Sequence, residues 1–195
     1  MEITTNRIKE LRDRTGISIM QCRKALEEAS GDMDKAIIIL QKQSKGIAIK
    51  KSGRNLGFVV VSSYIHGMGS VGAMVELMCE TDFVAKNAEF KALAYDIAMH
   101  VAASSPEFLK KEDIDDESKK KVAEVLAEEV KDKPENMREK ILEGKLNAYF
   151  SERILLDQPF VKDQNMTIGA MIESAIQKFG ERIEIGRFAR FGLTR

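Results

Sequence analysis

Two cysteines and two histidines are all that this chain of 195 residues offers to thiol or metal chemistry. Cys22 and Cys79 each fall within an apolar pattern, and no CxxC or Cys/His pair exists from which a zinc site could be built. They read as buried, reduced thiols of a cytosolic protein. His66 and His100 have no Cys, Asp or second His at ligand or triad spacing, and His100 reads as a helix-surface residue. The pattern therefore argues against an enzyme, and no cofactor or metal is expected. Charge of one sign is missing as well: Lys+Arg and Asp+Glu balance at 31 each, which excludes a global basic field for nucleic acid. No window approaches the ~20 apolar residues of a membrane span. The start MEITTNRIKE has an acid at position 2 and no apolar h-region, so a mature, soluble, cytoplasmic protein is expected. The segment GIAIKKSG, 46 to 53, lacks the second glycine of a phosphate-binding loop and follows no strand.

What is present is an ordinary globular composition, 44% apolar and 32% charged, enough for one full core and a small satellite. Residues 4 to 42 read as three short helices. Thr4 or Thr5 caps the first, and the stop is at Thr15-Gly16. Ser18 and Gln21 form a capping box for the second, and Gly31-Asp32 ends it and caps the third. Residues 43–57 are basic, acid-free and glycine-interrupted, and predict a flexible linker in preference to a continuing helix. Within 58–195, FVVVSSYIH, a GMGS turn and VGAMVELMC predict a β-hairpin with Ala73, Val75, Leu77 and Cys79 on a buried face. A long helix capped by Asn87 follows, then a charged helical pair over the core with Val122, Val125, Leu126 and Val130 as one stripe. A last helix stops at Gly180, and a third strand alternates Ile183, Ile185, Arg187, Ala189 and Phe191 on one side. The expected fold class is α+β: an N-terminal three-helix module (1–42), the linker, and a core of a three-stranded antiparallel sheet covered by helices (58–195).

Two stretches stand out as contact candidates. At the hairpin tip, Tyr64 and His66 alternate onto one face beside a glycine turn, in the manner of an exposed binding pair or of a solvated edge. In CETDFVAKN, spacing alone favours a helix start capped by Thr81 or Asp82 with Phe83 stapled to the core, against an exposed tool. Two other classes compete: an RNA- or ribosome-binding module using the 42 to 54 basic segment, and a small enzyme with a polar pocket near His66 or His100.

Several stretches together resemble the bacterial elongation factor Ts family, the guanine-nucleotide exchange factors of elongation factor Tu. They are IKELRDRTGISIMQCRKALEEASGDMDKAI, SSYIHGMGSVGAMVELMCETDFVAKN, HVAASSPEFL, KPENMREKILEGKL, and LLDQPFVKD with the terminal RFARF, in the family's order. The resemblance implies an N-terminal module like ubiquitin-associated domains and a non-enzymatic role in translation elongation. It implies that Thr81, Asp82, Phe83 and Val84 are pushed into the partner GTPase near its Mg²⁺ and nucleotide. Arg12, Ile19 and Met20 are implied to dock the N-terminal module, where TGISIMQC stands for the more usual TGAGMMDC, and Tyr64 and His66 to touch another domain of elongation factor Tu. A homodimer through the C-terminal sheet region, no direct nucleic-acid contact and no membrane complete the expectation.

Overall fold

The structure, a computed structural model, describes residues 3–132 and 134–192. Parts of the expected segments 1–42 and 58–195, namely residues 1, 2, 133 and 193–195, lie outside the described residues. Three helices open the chain: α1 (Thr5–Thr15), α2 (Ile19–Glu28) and α3 (Met33–Lys51). A hairpin of β1 (Phe58–His66) and β2 (Val71–Cys79) leads to α4 (Asp82–Lys86) and α5 (Ala88–Ser104). Then come α6 (Asp116–Glu129), α7 (Glu135–Ser151), β3 (Pro159–Phe160), β4 (Asp163–Thr167), α8 (Ile168–Phe179) and β5 (Ile183–Gly192).

Local chemistry sets the starts of the first helices. The hydroxyl of Thr4 accepts from the Arg7 amide, and α1 ends at Gly16 in the left-handed region, φ 69°. At α2 the Ser18 hydroxyl accepts from the Gln21 amide and donates to Gln21 Oε1 at 2.9 Å, so the glutamine side chain meets the hydroxyl rather than the Ser18 amide of a full capping box. Asp32 caps α3. Leu11, Ile17, Cys22, Ala25, Leu26, Ala36 and Leu40 close the bundle core.

The flexible linker expected over 43–57 is corrected over its first half, because α3 runs on as one helix to Lys51. A helical glycine such as Gly46 costs about 1 kcal/mol relative to alanine, an amount tertiary packing readily offsets. Here Ser44 is buried and its hydroxyl donates to Gln177 Oε1 of α8, while Ile47 and Ala48 pack against the sheet core. Lys50 and Lys51 fall in the last turn, where the helix dipole favours cations.

The three-stranded sheet is antiparallel in the order β1-β2-β5. Its inner face, with Ala73, Val75, Leu77, Cys79, Ile183 and Ile185, packs on Phe90, Ile97 and Val101 of α5 and on Ile168 and Ile176 of α8. The fold class is thus α+β, as expected. The even alternation expected of the third strand is corrected by a β-bulge: Val75 faces Phe188 and Leu77 faces Ile185, so two residues, Gly186 and Arg187, oppose Glu76. Beyond the bulge Phe188 turns toward the core, whereas Arg187, Ala189 and Phe191 are exposed. A Cβ at Gly186 would come within 2.9 Å of the Met78 sulfur.

The pair α6 and α7 packs on itself rather than over the sheet. Near its base Ile114, Phe150 and Ile154 form a separate small cluster, and Val125 of the expected stripe is 65% exposed. Among the described residues no helix is long and apolar enough to cross a membrane.

Candidate functional site: the Thr81–Val84 turn

Beyond Cys79 the chain leaves the sheet in an extended step at Thr81, φ −124° and ψ 157°, and folds at once into α4. Thr81 supplies the cap: its Oγ1 accepts from the Val84 amide at 3.4 Å. Asn87 ends α4 and caps α5, accepting from the Glu89 amide at 2.8 Å. A short helix between two caps projects its side chains in fixed directions. Val84 points inward, 4% exposed, among the residues of the sheet core. Of Thr81, Asp82, Phe83 and Val84, it is the one whose side chain lies in the core. Phe83 points the other way and is 81% exposed, which excludes the staple favoured by spacing alone. Asp82 is not the cap; its carboxylate pairs with Lys86 at 2.6 Å, one helical turn on, and the lysine holds it below the usual carboxylate range.

Under the turn lies a polar layer that spacing does not reveal. Glu181, between α8 and β5, accepts from Thr81 Oγ1 at 2.6 Å and from the Glu80 and Thr81 amides at 3.1 Å each. Glu80 in return accepts from the Arg182 amide and lies 3.3 Å from the Arg54 guanidinium. Partial desolvation pulls the Glu80 carboxyl upward, but these bonds outweigh it and its pKa sits below the ordinary value. Cys79 is fully buried, and its thiol, pushed up by burial, donates to the Thr81 carbonyl at 3.3 Å.

The remaining candidates lie elsewhere. Tyr64 and His66 are brought together, Tyr64 Oη lying 3.0 Å from His66 Nδ1, with the tyrosine ring edge-on to Tyr95. In the register His66 faces Val71 while Phe58 faces Cys79. The tip is therefore about 26 Å from the Thr81 end, at ~3.3 Å per residue along β2. Ile19 and Met20, 52% and 64% exposed, occupy the first turn of α2, and Arg12 is exposed in the last turn of α1. The candidate residues thus lie apart, on two helices and at two ends of one sheet.

His100 corrects its expectation as a surface residue. It is fully buried, its Nε2 donates to Gln158 Oε1 at 2.9 Å, and Ser104 Oγ lies 3.4 Å from Nδ1. Burial lowers its pKa, against the opposing effect of the hydrogen bond to Gln158, and so favours the neutral ring. A cleft of about 860 Å³ separates α1 and α3 from α5 and α8, walled by Ile37, Ile38, Leu93, Met171 and Phe179, and neither histidine nor cysteine lines it.

A family model described as Elongation factor TS matches residues 46–194. The chain belongs to the elongation factor Ts family. Elongation factor Ts of Carboxydothermus hydrogenoformans is 48% identical over 98% of this chain and 89% of its own length. That of Thermosipho melanesiensis is 48% identical over 97% of both chains, and that of Thermotoga petrophila 44% identical over 98% of this chain and 96% of its own. Membership of the elongation factor Ts family makes this a factor of translation elongation. The outer face of its sheet also went unassigned by alternation, although the signal was there: FVVV is apolar at consecutive positions. Val59, Val61, Ile65, Met74 and Phe191 stand exposed on it.

Proposed function

We propose that this elongation factor is a non-enzymatic guanine-nucleotide exchange factor for elongation factor Tu, working in the cytoplasm. It binds the GDP-bound GTPase, perturbs its Mg²⁺ and phosphate site, and promotes GDP release so that GTP rebinds. One observation carries the proposal: Phe83 is an aromatic side chain, 81% exposed, on a doubly capped helix whose other side is anchored in the core by Val84. A ring presented on a helix anchored at both ends and from below has the form of the aromatic anchors that dominate protein–protein contacts.

A P-loop GTPase holds its nucleotide in an amide cradle, with a Mg²⁺ bridged by a Ser/Thr and an Asp. Wedging Phe83 between the segments that bear those ligands shifts the metal, and the diphosphate loses its counter-charge. Asp82 draws donors or water from the metal's surroundings once it leaves Lys86, and a solvent-exposed i,i+4 pair of this kind holds it only weakly. Thr81 and Val84 hold the wedge in place. Arg12, Ile19 and Met20 dock the N-terminal module on the GTPase, and the Tyr64–His66 pair touches a second domain. Exchange is then binding energy redirected: whatever factor this protein takes from GDP affinity, GDP takes from its own.

Two copies pair through the outer sheet face, where Val59, Val61, Ile65, Met74 and Phe191 leave apolar surface in water; nucleic acid has no direct part. The test is release of fluorescent GDP from elongation factor Tu with this protein in excess. Strong acceleration is expected, and release at the unassisted rate would refute the proposal.

A further inference from the structure

The two residues before the Asp82–Phe83 turn are hydrogen-bonded to the segment 180–182, about a hundred residues further on in the chain. We infer that Glu181 is the positioning residue for the Asp82–Phe83 turn, an inference that rests on the exchange reading above. Three donors of the turn converge on its carboxylate: the Thr81 hydroxyl at 2.6 Å on Oε1, and the Glu80 and Thr81 amides at 3.1 Å on Oε2. Charge-assisted bonds of this kind are the stronger and more directional class.

The hydroxyl bond does more than add a contact. Thr81 Oγ1 gives its proton to Glu181 and so keeps a lone pair aimed at the Val84 amide, the bond that starts α4. Glu181 therefore sets both the extended backbone at Thr81 and the hydroxyl orientation that makes it a cap. The clamp is reciprocal, since Glu80 accepts from the Arg182 amide. The far side of the segment is held as well: Lys51 Nζ, at the end of α3, donates to the Gly180 carbonyl at 2.6 Å, and the Arg182 guanidinium donates to the Arg54 carbonyl. Glu181 touches no nucleotide and no metal in this scheme; it acts through the angle of α4.

The experiment measures GDP release from elongation factor Tu across a concentration series of wild type, Glu181→Ala, Glu181→Gln and Phe83→Ala, and of Glu181→Ala combined with Phe83→Ala, at a temperature where melting curves show all to be folded. Misplacing a working group by about 1 Å costs up to a hundredfold, so Glu181→Ala is expected to lower the maximal release rate on the order of tenfold. The half-saturating concentration should move less than about twofold, because the docking contacts are untouched. Glu181→Gln should fall between wild type and Glu181→Ala: its amide oxygen still accepts the two backbone N–H groups, but its NH₂ cannot take the Thr81 proton, so the hydroxyl loses the partner that orients it. In the Phe83→Ala background, Glu181→Ala should cost nothing further.

Full activity of Glu181→Ala, a loss that appears only as weaker half-saturation, or a loss that adds to that of Phe83→Ala would each overturn the inference while leaving the exchange function standing. No acceleration by wild type would overturn both. If Glu181→Ala does not fold, Glu181→Asp, one methylene short of reaching all three donors, takes its place with the same expected split.

Discussion

Cutting Phe83 back to alanine separates a working ring from a structural one. A buried phenylalanine lost from a core costs about 3–5 kcal/mol. Phe83 is 81% exposed, so only about a fifth of its side chain is covered by its own fold. Of the roughly 200 Å² an aromatic side chain can bury, that fifth is about 40 Å², worth about 1 kcal/mol at ~25 cal/mol per Å². For a chain of this size the melting temperature should fall by no more than about 2–4 °C. The other ~160 Å² is free for a partner, an upper bound of about 4 kcal/mol, or about a thousandfold in rate if all of it is buried only when GDP is being expelled. Burial of half that surface in the partner still predicts a loss of roughly thirtyfold. The assay pairs thermal melting with fluorescent GDP release at saturating factor. A variant that melts ten or more degrees lower, or that releases GDP as fast as wild type, would refute the assignment of Phe83 as an outward wedge.

Other expectations concern the rest of the molecule. His100 is buried with a lowered pKa, so the unfolded chain binds the extra proton first. Its contribution is whole above the unfolded value of about 6.5 and is lost as pH falls from there toward the folded value. Melting temperature should accordingly drop between pH 7 and 5.5, and His100→Gln should flatten that part of the curve. Gln177 Nε2 is buried without a hydrogen-bond partner among the described residues, and Ser44 satisfies the same amide's oxygen. Ser44→Ala should cost about 1–3 kcal/mol in chemical denaturation, and Ser44→Ala with Gln177→Leu should cost less than the single change. Light scattering should give twice the 21.9 kDa chain mass, with Val61→Lys shifting the distribution to single chains and a constant single-chain mass over a concentration series ruling the pair out.

Features decided within a few residues were legible in the sequence. The caps at Thr4, Ser18, Asp32 and Asn87, the stops at Gly16 and Gly180, and the buried alternation of β2 all follow from neighbours the sequence displays side by side. What escaped depends on partners far along the chain. His100 looked solvated because Gln158, its hydrogen-bond partner, is 58 residues away. Gly46 and a run of lysines looked like a linker because Gln177, which meets Ser44, is 133 residues away. In the third strand a single extra residue at the bulge exchanged the faces of everything after it. At the turn, composition indicated an aromatic beside an acid. Exposure of Phe83 and burial of Val84 needed the fold, and Glu181 carries no local mark at all.

The uninterrupted α3 has a consequence for the proposed action of the two ends of the molecule on one target. Had 43–57 been a random coil of fifteen residues, Phe83 would wander over roughly 20 Å relative to the N-terminal bundle, and its effective concentration at a site on the same target would be in the millimolar range. A helix that buries its first half in one core and its second half against another removes that wandering before any target arrives. The entropy of bringing the second contact home is then spent during folding, not during each encounter. Inserting flexible residues after Leu40 would therefore break α3 and weaken the proposed coordinated grip while leaving every side chain proposed to touch the target in place.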